Sequence, residues 1–169
     1  MKVNYIGIVA GILAFVSIAL SWWTVSISAT GITAPSYDLY LYQAGTIAGA
    51  TLDTWFIWAA LALVIVGGLI TIVASVMAKG KMILIGGGVL ILLSMIIFAV
   101  GLNNALSPLA GVLPGIGLFS SGSFSSGSVT VSWSTYLSYG FWLALVAMIL
   151  AFVAYVRHPK EAAPPPAPA

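Results

Sequence analysis

Residues 55–102 read WFIWAALALVIVGGLITIVASVMAKGKMILIGGGVLILLSMIIFAVGL, two long apolar runs separated only by Lys79-Gly80-Lys81. Each run reaches the roughly 20 residues at 1.5 Å rise that cross a hydrocarbon core about 30 Å thick. A link that short admits only an antiparallel helical hairpin, and lysines in its turn hold that turn on the cytoplasmic side. Asp53, just before the first run, has the chemistry to cap a helix N-terminus and to complement its dipole.

Working outward, Tyr5–Trp22 and Leu137–Val156 are two further apolar runs without a charged residue. Four spans are therefore expected at 5–22, 55–78, 82–102 and 137–156, in one membrane domain covering 1–156. The basic residues Lys2, Lys79, Lys81, Arg157 and Lys160 all fall on one side of this arrangement. Short loops rich in Lys and Arg stay inside, so both termini are expected in the cytoplasm and loops 23–54 and 103–136 outside. The expected fold is an all-α, multi-pass protein of the cell membrane with the lipid bilayer as its solvent.

Composition agrees. The chain is 62% hydrophobic and 5% charged, with a mean hydropathy of +1.17, against the ~25% charged residues of an ordinary soluble domain. A net charge of +2 and a pI of about 9.0 would suit nucleic acid only if the basic residues shared a face, and they are scattered over three segments. No nucleic-acid partner is expected. With no cysteine, disulfides and thiolate chemistry are excluded. Trp22 and Trp23 stand where a signal peptide would need small residues, so the first run is read as a retained span.

The outer loops change period. Trp23, Val25 and Ile27 alternate with Thr24, Ser26 and Ser28; Tyr37, Leu39 and Leu41 alternate with Asp38, Tyr40 and Tyr42; and Val129, Val131 and Trp133 alternate with serines and Thr130. Each alternation predicts a strand with one apolar face, and three together suggest a small antiparallel sheet capping the helices. Residues 103–117, apolar but interrupted by Pro108 and Pro114, are expected to lie on the helix ends. The Ser/Gly tract 120–128 is expected to be a flexible connector, and the Ala/Pro-rich tail 157–169 extended or disordered.

Few residues carry chemistry. Asp38 and Asp53 are the only outer carboxylates, with no histidine, cysteine or lysine beside them, so neither catalysis nor a metal is expected there. His158, alone past the last span, reads as a solvated boundary residue. Gly86-Gly87-Gly88 lacks the following Lys-Ser/Thr of a phosphate loop and suggests close packing or a bend. No Asp, Glu, Lys, Arg or His stands inside a span, which disfavours pumps, ion-coupled transporters and haem proteins. No cofactor is expected. Trp22, Trp23, Trp55, Trp58, Trp133 and Trp142 all fall near the outer boundary and are expected to form an interfacial aromatic belt. Gly7 and Gly11, and more weakly Ala147 and Ala151, have the small-xxx-small spacing of close helix contacts.

Four spans with both ends inside, a β-rich first outer loop and a shorter pairing segment in the second resemble the tetraspan architecture of claudins. The claudin pattern of Trp, then Gly-Leu-Trp, then two cysteines is absent, since Trp22 and Trp23 are followed by Thr24-Val25-Ser26. The resemblance implies architecture alone and carries over no residue role. The function expected is non-enzymatic: an accessory subunit that packs against other integral membrane proteins, or alternatively a self-associating scaffold or adhesion protein. A passive channel is a third expectation, weakened because Ser17, Ser21, Thr71, Ser75 and Ser94 are few polar residues for a pore.

Overall fold

The computed structural model describes residues 3–30, 32–33, 36–43, 46–47, 50–51, 54–77, 79–111 and 113–158. It contains helices α1 (Tyr5–Ala19), α2 (Trp55–Val76), α3 (Lys81–Leu106) and α4 (Tyr139–Val156), with strands from both connecting loops. Three helices, α2, α3 and α4, are long and apolar enough to cross a membrane, consistent with a multi-pass membrane protein. α1 has 15 residues and spans about 22 Å, less than a full hydrocarbon core.

α1 ends three residues earlier than the expected span 5–22, because Trp22 leaves the helix to start the sheet. Its backbone N–H donates to Leu39 O at 2.8 Å, and its indole Nε1–H donates back to Ser17 O at 2.9 Å. α3, in contrast, runs beyond the expected 82–102. It has 26 residues, about 39 Å. Leu102 and Leu106 are both buried, which gives the helix a reason to continue until Pro108 disfavours it. Residues 103–106, expected to lie flat on the helix ends, are thus the last turn of α3, followed by a 3-10 turn at Ser107–Gly111.

The helices form an antiparallel ring in which each packs on its sequence neighbours and α1 closes onto α4. Small residues set the spacing. A Cβ on Gly7 would collide with Ser75 Oγ, and one on Gly11 would lie 2.8 Å from Gly68 O. A Cβ on Gly67 would lie 2.9 Å from Gly87 O, and one on Gly88 would meet Ala151 Cβ at 3.3 Å. Close backbone approach of this kind is how helices gain dispersion contacts where no hydrophobic force acts between them. Of the glycine triplet, Gly87 and Gly88 make such contacts, whereas Gly86 has open space around it.

Strands β1 (Trp23–Ala29), β2 (Ile32–Thr33), β3 (Tyr37–Leu39), β6 (Ser120–Ser126) and β7 (Val129–Leu137) form one antiparallel sheet, while β4 (Thr46–Ile47) and β5 (Ala50–Thr51) make a separate two-stranded piece. In the larger sheet the order is β2-β1-β7-β6, with β3 also on β1. The run expected at Tyr37–Gln43 is therefore a strand only to Leu39, and a turn follows. The expected connector 120–128 is instead β6 and its hairpin turn. β6 pairs with β7 from Ser120↔Thr135 to Ser126↔Val129 without a break. Gly127, at φ 62°, takes the left-handed conformation that two-residue hairpin turns require.

Candidate functional site

The sheet is a rigid continuation of the α1/α4 pair. Only Leu20, Ser21 and Trp22 separate α1 from β1, and only Ser138 separates β7 from α4. The junction is laced across both chains: Ser138 N–H donates to Trp22 O at 3.0 Å and Gly140 N–H to Ser21 O at 2.8 Å, while Ser21 Oγ donates to Ser138 Oγ at 2.8 Å. The β1–β7 ladder then runs from Trp23↔Leu137 to Ala29↔Val131.

Beneath the sheet lies an aromatic plug. Trp22 meets Phe98 at 5.1 Å and Phe141 at 5.7 Å, both edge-on, and Phe98 meets Phe56 at 5.9 Å. Edge-to-face rings at these separations add to the large apolar area they bury. Trp23 and Val25 are fully buried and Leu137 nearly so, and Trp23 Nε1–H donates to Leu118 O at 3.3 Å. This face joins the sheet to the helix core.

Alternation turns hydroxyls to the other face. Across β1 and β7, Ser26 stands opposite Ser134 and Ser28 opposite Ser132; across β7 and β6, Ser134 stands opposite Ser121, Ser132 opposite Ser123 and Thr130 opposite Ser125. Four of these serines, Ser26, Ser28, Ser132 and Ser134, surround a shallow concavity of about 410 Å³ with Ser36 at its side. At the base of this face, Thr24 Oγ1 donates to Asp38 Oδ1 at 2.6 Å. Among the described residues, Asp38 is the one carboxylate of the sheet, and no cluster of three or more potential metal ligands exists.

The expected aromatic belt splits. Trp55, Trp58 and Trp142 are about half exposed on the helices, whereas Trp22, Trp23 and Trp133 are interior. Trp22 and Trp23 turn inward because the sheet starts where the helices stop, and their rings join the core at the junction, whereas Trp133 is buried within the sheet itself. Trp133 covers Gly122, where a Cβ would strike its ring, and its buried Nε1 has no hydrogen-bond partner among the described residues. Exposed Tyr139 and half-exposed Trp142 join Leu20, Leu143 and Val146 around an apolar groove of about 440 Å³.

Gly7, Gly11, Ala147 and Ala151 are all buried inside the bundle of this one chain. The glycines face α2, and Ala151 faces Gly88 of α3. Lys79, Lys81 and Arg157 all lie at the end of the bundle opposite the sheet, where Lys81 Nζ sits 5.0 Å from the Tyr155 ring centre, a cation–π contact. Lys2, Lys160 and Asp53 lie outside the described residues; Thr54 occupies the N-cap position of α2 without a side-chain cap bond. His158, expected to be solvated, is instead buried, at 7% exposure.

Asn4 directly precedes the first apolar run, the N-cap signal that would have singled it out. It caps α1 through Gly7 N–H, and its backbone N–H donates to Ser75 O at 2.9 Å. The hydroxyls of Ser17, Thr71, Ser75 and Ser94 each bond a carbonyl of their own helix at 2.6–2.7 Å. No protein-family model matches this chain, and no curated protein is significantly similar to it.

Proposed function

We propose that this is a non-enzymatic, four-span protein of the cell membrane, with both termini in the cytoplasm, that works by displaying its sheet outside the membrane for contact with other proteins. One observation carries this: the sheet is welded to α1 and α4 through one- and three-residue joints, so it is held as a rigid platform and not as a tethered loop. α1 is short, but it lies flush with its neighbours. Its start is tied to the ends of α2 and α4 through Asn4, and its end packs against Gly140 at the start of α4. If α4 crosses the bilayer, α1 crosses with it, the extended residues 20–22 making up the missing length.

The position of Lys79, Lys81 and Arg157 at the far end supports the inside-in orientation. Display is favoured over burial in a larger complex through the helices, because the small-residue stripes that would serve helix–helix association are already used within the chain. An aqueous pore has little support when the buried hydroxyls are bonded to their own helices.

A photo-crosslinking residue placed at Ser132, on the sheet, and at Val66, 46% exposed on α2, tests the proposal in native membranes. Protein adducts from Ser132 and lipid adducts from Val66 are expected. Protein adducts from Val66 with none from Ser132 would favour an accessory subunit buried through its helices.

A further inference from the structure

The two edges of the sheet differ. On one side β1 is covered by β2 and β3. On the other, β6 is terminal, and among the described residues no backbone hydrogen bond reaches its outer edge. Exposed edges invite pairing with another strand, and proteins normally block them with lysine, proline, a bulge or short length. β6 has none of these protections. It runs seven residues, SSGSFSS, in unbroken register, with no charge and no proline.

We infer that the β6 edge is a self-association surface, where two copies of this chain pair antiparallel about Ser123 and join their sheets into one. This rests on the sheet being displayed, as proposed above. The sequence of β6 is matched to its own reverse. A two-fold at Ser123 sets Ser123 opposite Ser123, Ser121 opposite Ser125, and Gly122 opposite Phe124 of the second copy, so the central three serines fall on one face and the glycine–phenylalanine pairs on the other. Phe124 already packs on Trp133 at 6.3 Å, and Trp133 lies over Gly122. Pairing would extend this aromatic row across the axis, with glycine opposite a ring, an arrangement that supports strand pairs. An isologous contact of this kind closes on itself as a dimer.

Charge offers no obstacle. Asp38 is the one described charge on the sheet, and it sits on β3, with β1 and β7 between it and β6, about 14 Å away at the usual strand spacing. Two neutral edges meet without repulsion, and the neutral hydroxyl ladder continues from one copy to the other.

The absence of cysteine makes the register directly testable in the full-length protein in mild detergent. A Ser123→Cys variant places its thiols opposite each other on the axis, within disulfide reach, and mild oxidation should give a covalent dimer. Ser121→Cys or Ser125→Cys alone separates the two thiols by about four residues along the strands, roughly 13 Å, and should not cross-link. The Ser121→Cys/Ser125→Cys double variant should cross-link again. Ser123→Lys, at an exposed position, should convert the wild-type dimer to monomer by mass, weakening association at least tenfold. Equal cross-linking at all three single positions, none at Ser123, or a monomeric wild type would overturn the inference. Protein adducts from the Ser132 probe together with no Ser123→Cys cross-link would sink it while leaving the display function standing.

Discussion

Asn4 Nδ2 donates to the carbonyl of Ala154 at 2.8 Å, across 150 residues of sequence. With the backbone bond to Ser75 O and the cap to Gly7, one residue ties the start of α1 to the end of α2 through its backbone and to the end of α4 through its side chain. Asn4→Leu removes both the cap and the bridge and leaves a buried carbonyl unmet, a loss of about 1–2 kcal/mol. A lower thermal midpoint in detergent is expected, with Asn4→Asp, which keeps the cap acceptor, in between. An unchanged midpoint for Asn4→Leu would mean that the bridge contributes nothing.

The glycine triplet should respond position by position. Gly86 has no neighbour within 4 Å, so Gly86→Ala should stabilise α3 by roughly 0.5–1 kcal/mol through backbone entropy. Gly87 faces Thr71 and the carbonyl of Gly67, and Gly87→Ala should destabilise by about 1–3 kcal/mol. Denaturation in mixed micelles measures both; opposite signs are required.

Tryptophans divide likewise. Trp22→Ala empties the aromatic plug and should cost about 3–5 kcal/mol. Trp58→Ala, on a residue 52% exposed, should stay within about 0.5 kcal/mol in detergent. Comparable losses from the two would contradict the separation of interior from boundary rings.

Adjacent residues of β1 face opposite ways. Val25→Asp buries an unpaired carboxylate against the bundle and should prevent accumulation of folded protein, at a cost of several kcal/mol. Ser26→Asp, one residue on, points to the hydroxyl face and should express and melt much as the parent does. Expression level and thermal midpoint of the pair report the facing directly.

The helical hairpin was legible because length, hydropathy and the two lysines of its turn all act locally. β1 and β7 were legible from their alternation. β6 was not: Phe124 is its one large apolar residue, and the strand exists because β7 offers a ladder and Trp133 a ring to cover Gly122. Spacing identified Gly7 and Gly11 as contact residues but not their partner, which is α2 of the same chain. Trp22 lies at a helix end in either reading. Whether its ring faces lipid or core depends on where α1 stops, and that is decided by the carbonyl of Leu39, 17 residues further on.

Orientation is tested most directly by impermeant thiol labelling of intact cells, because the chain has no cysteine of its own. A Ser121→Cys variant, on the displayed sheet, should label from outside, and an Ala163→Cys variant should label only after the membrane is opened. Labelling of Ala163→Cys in intact cells with Ser121→Cys protected would place the sheet in the cytoplasm and contradict the proposed display.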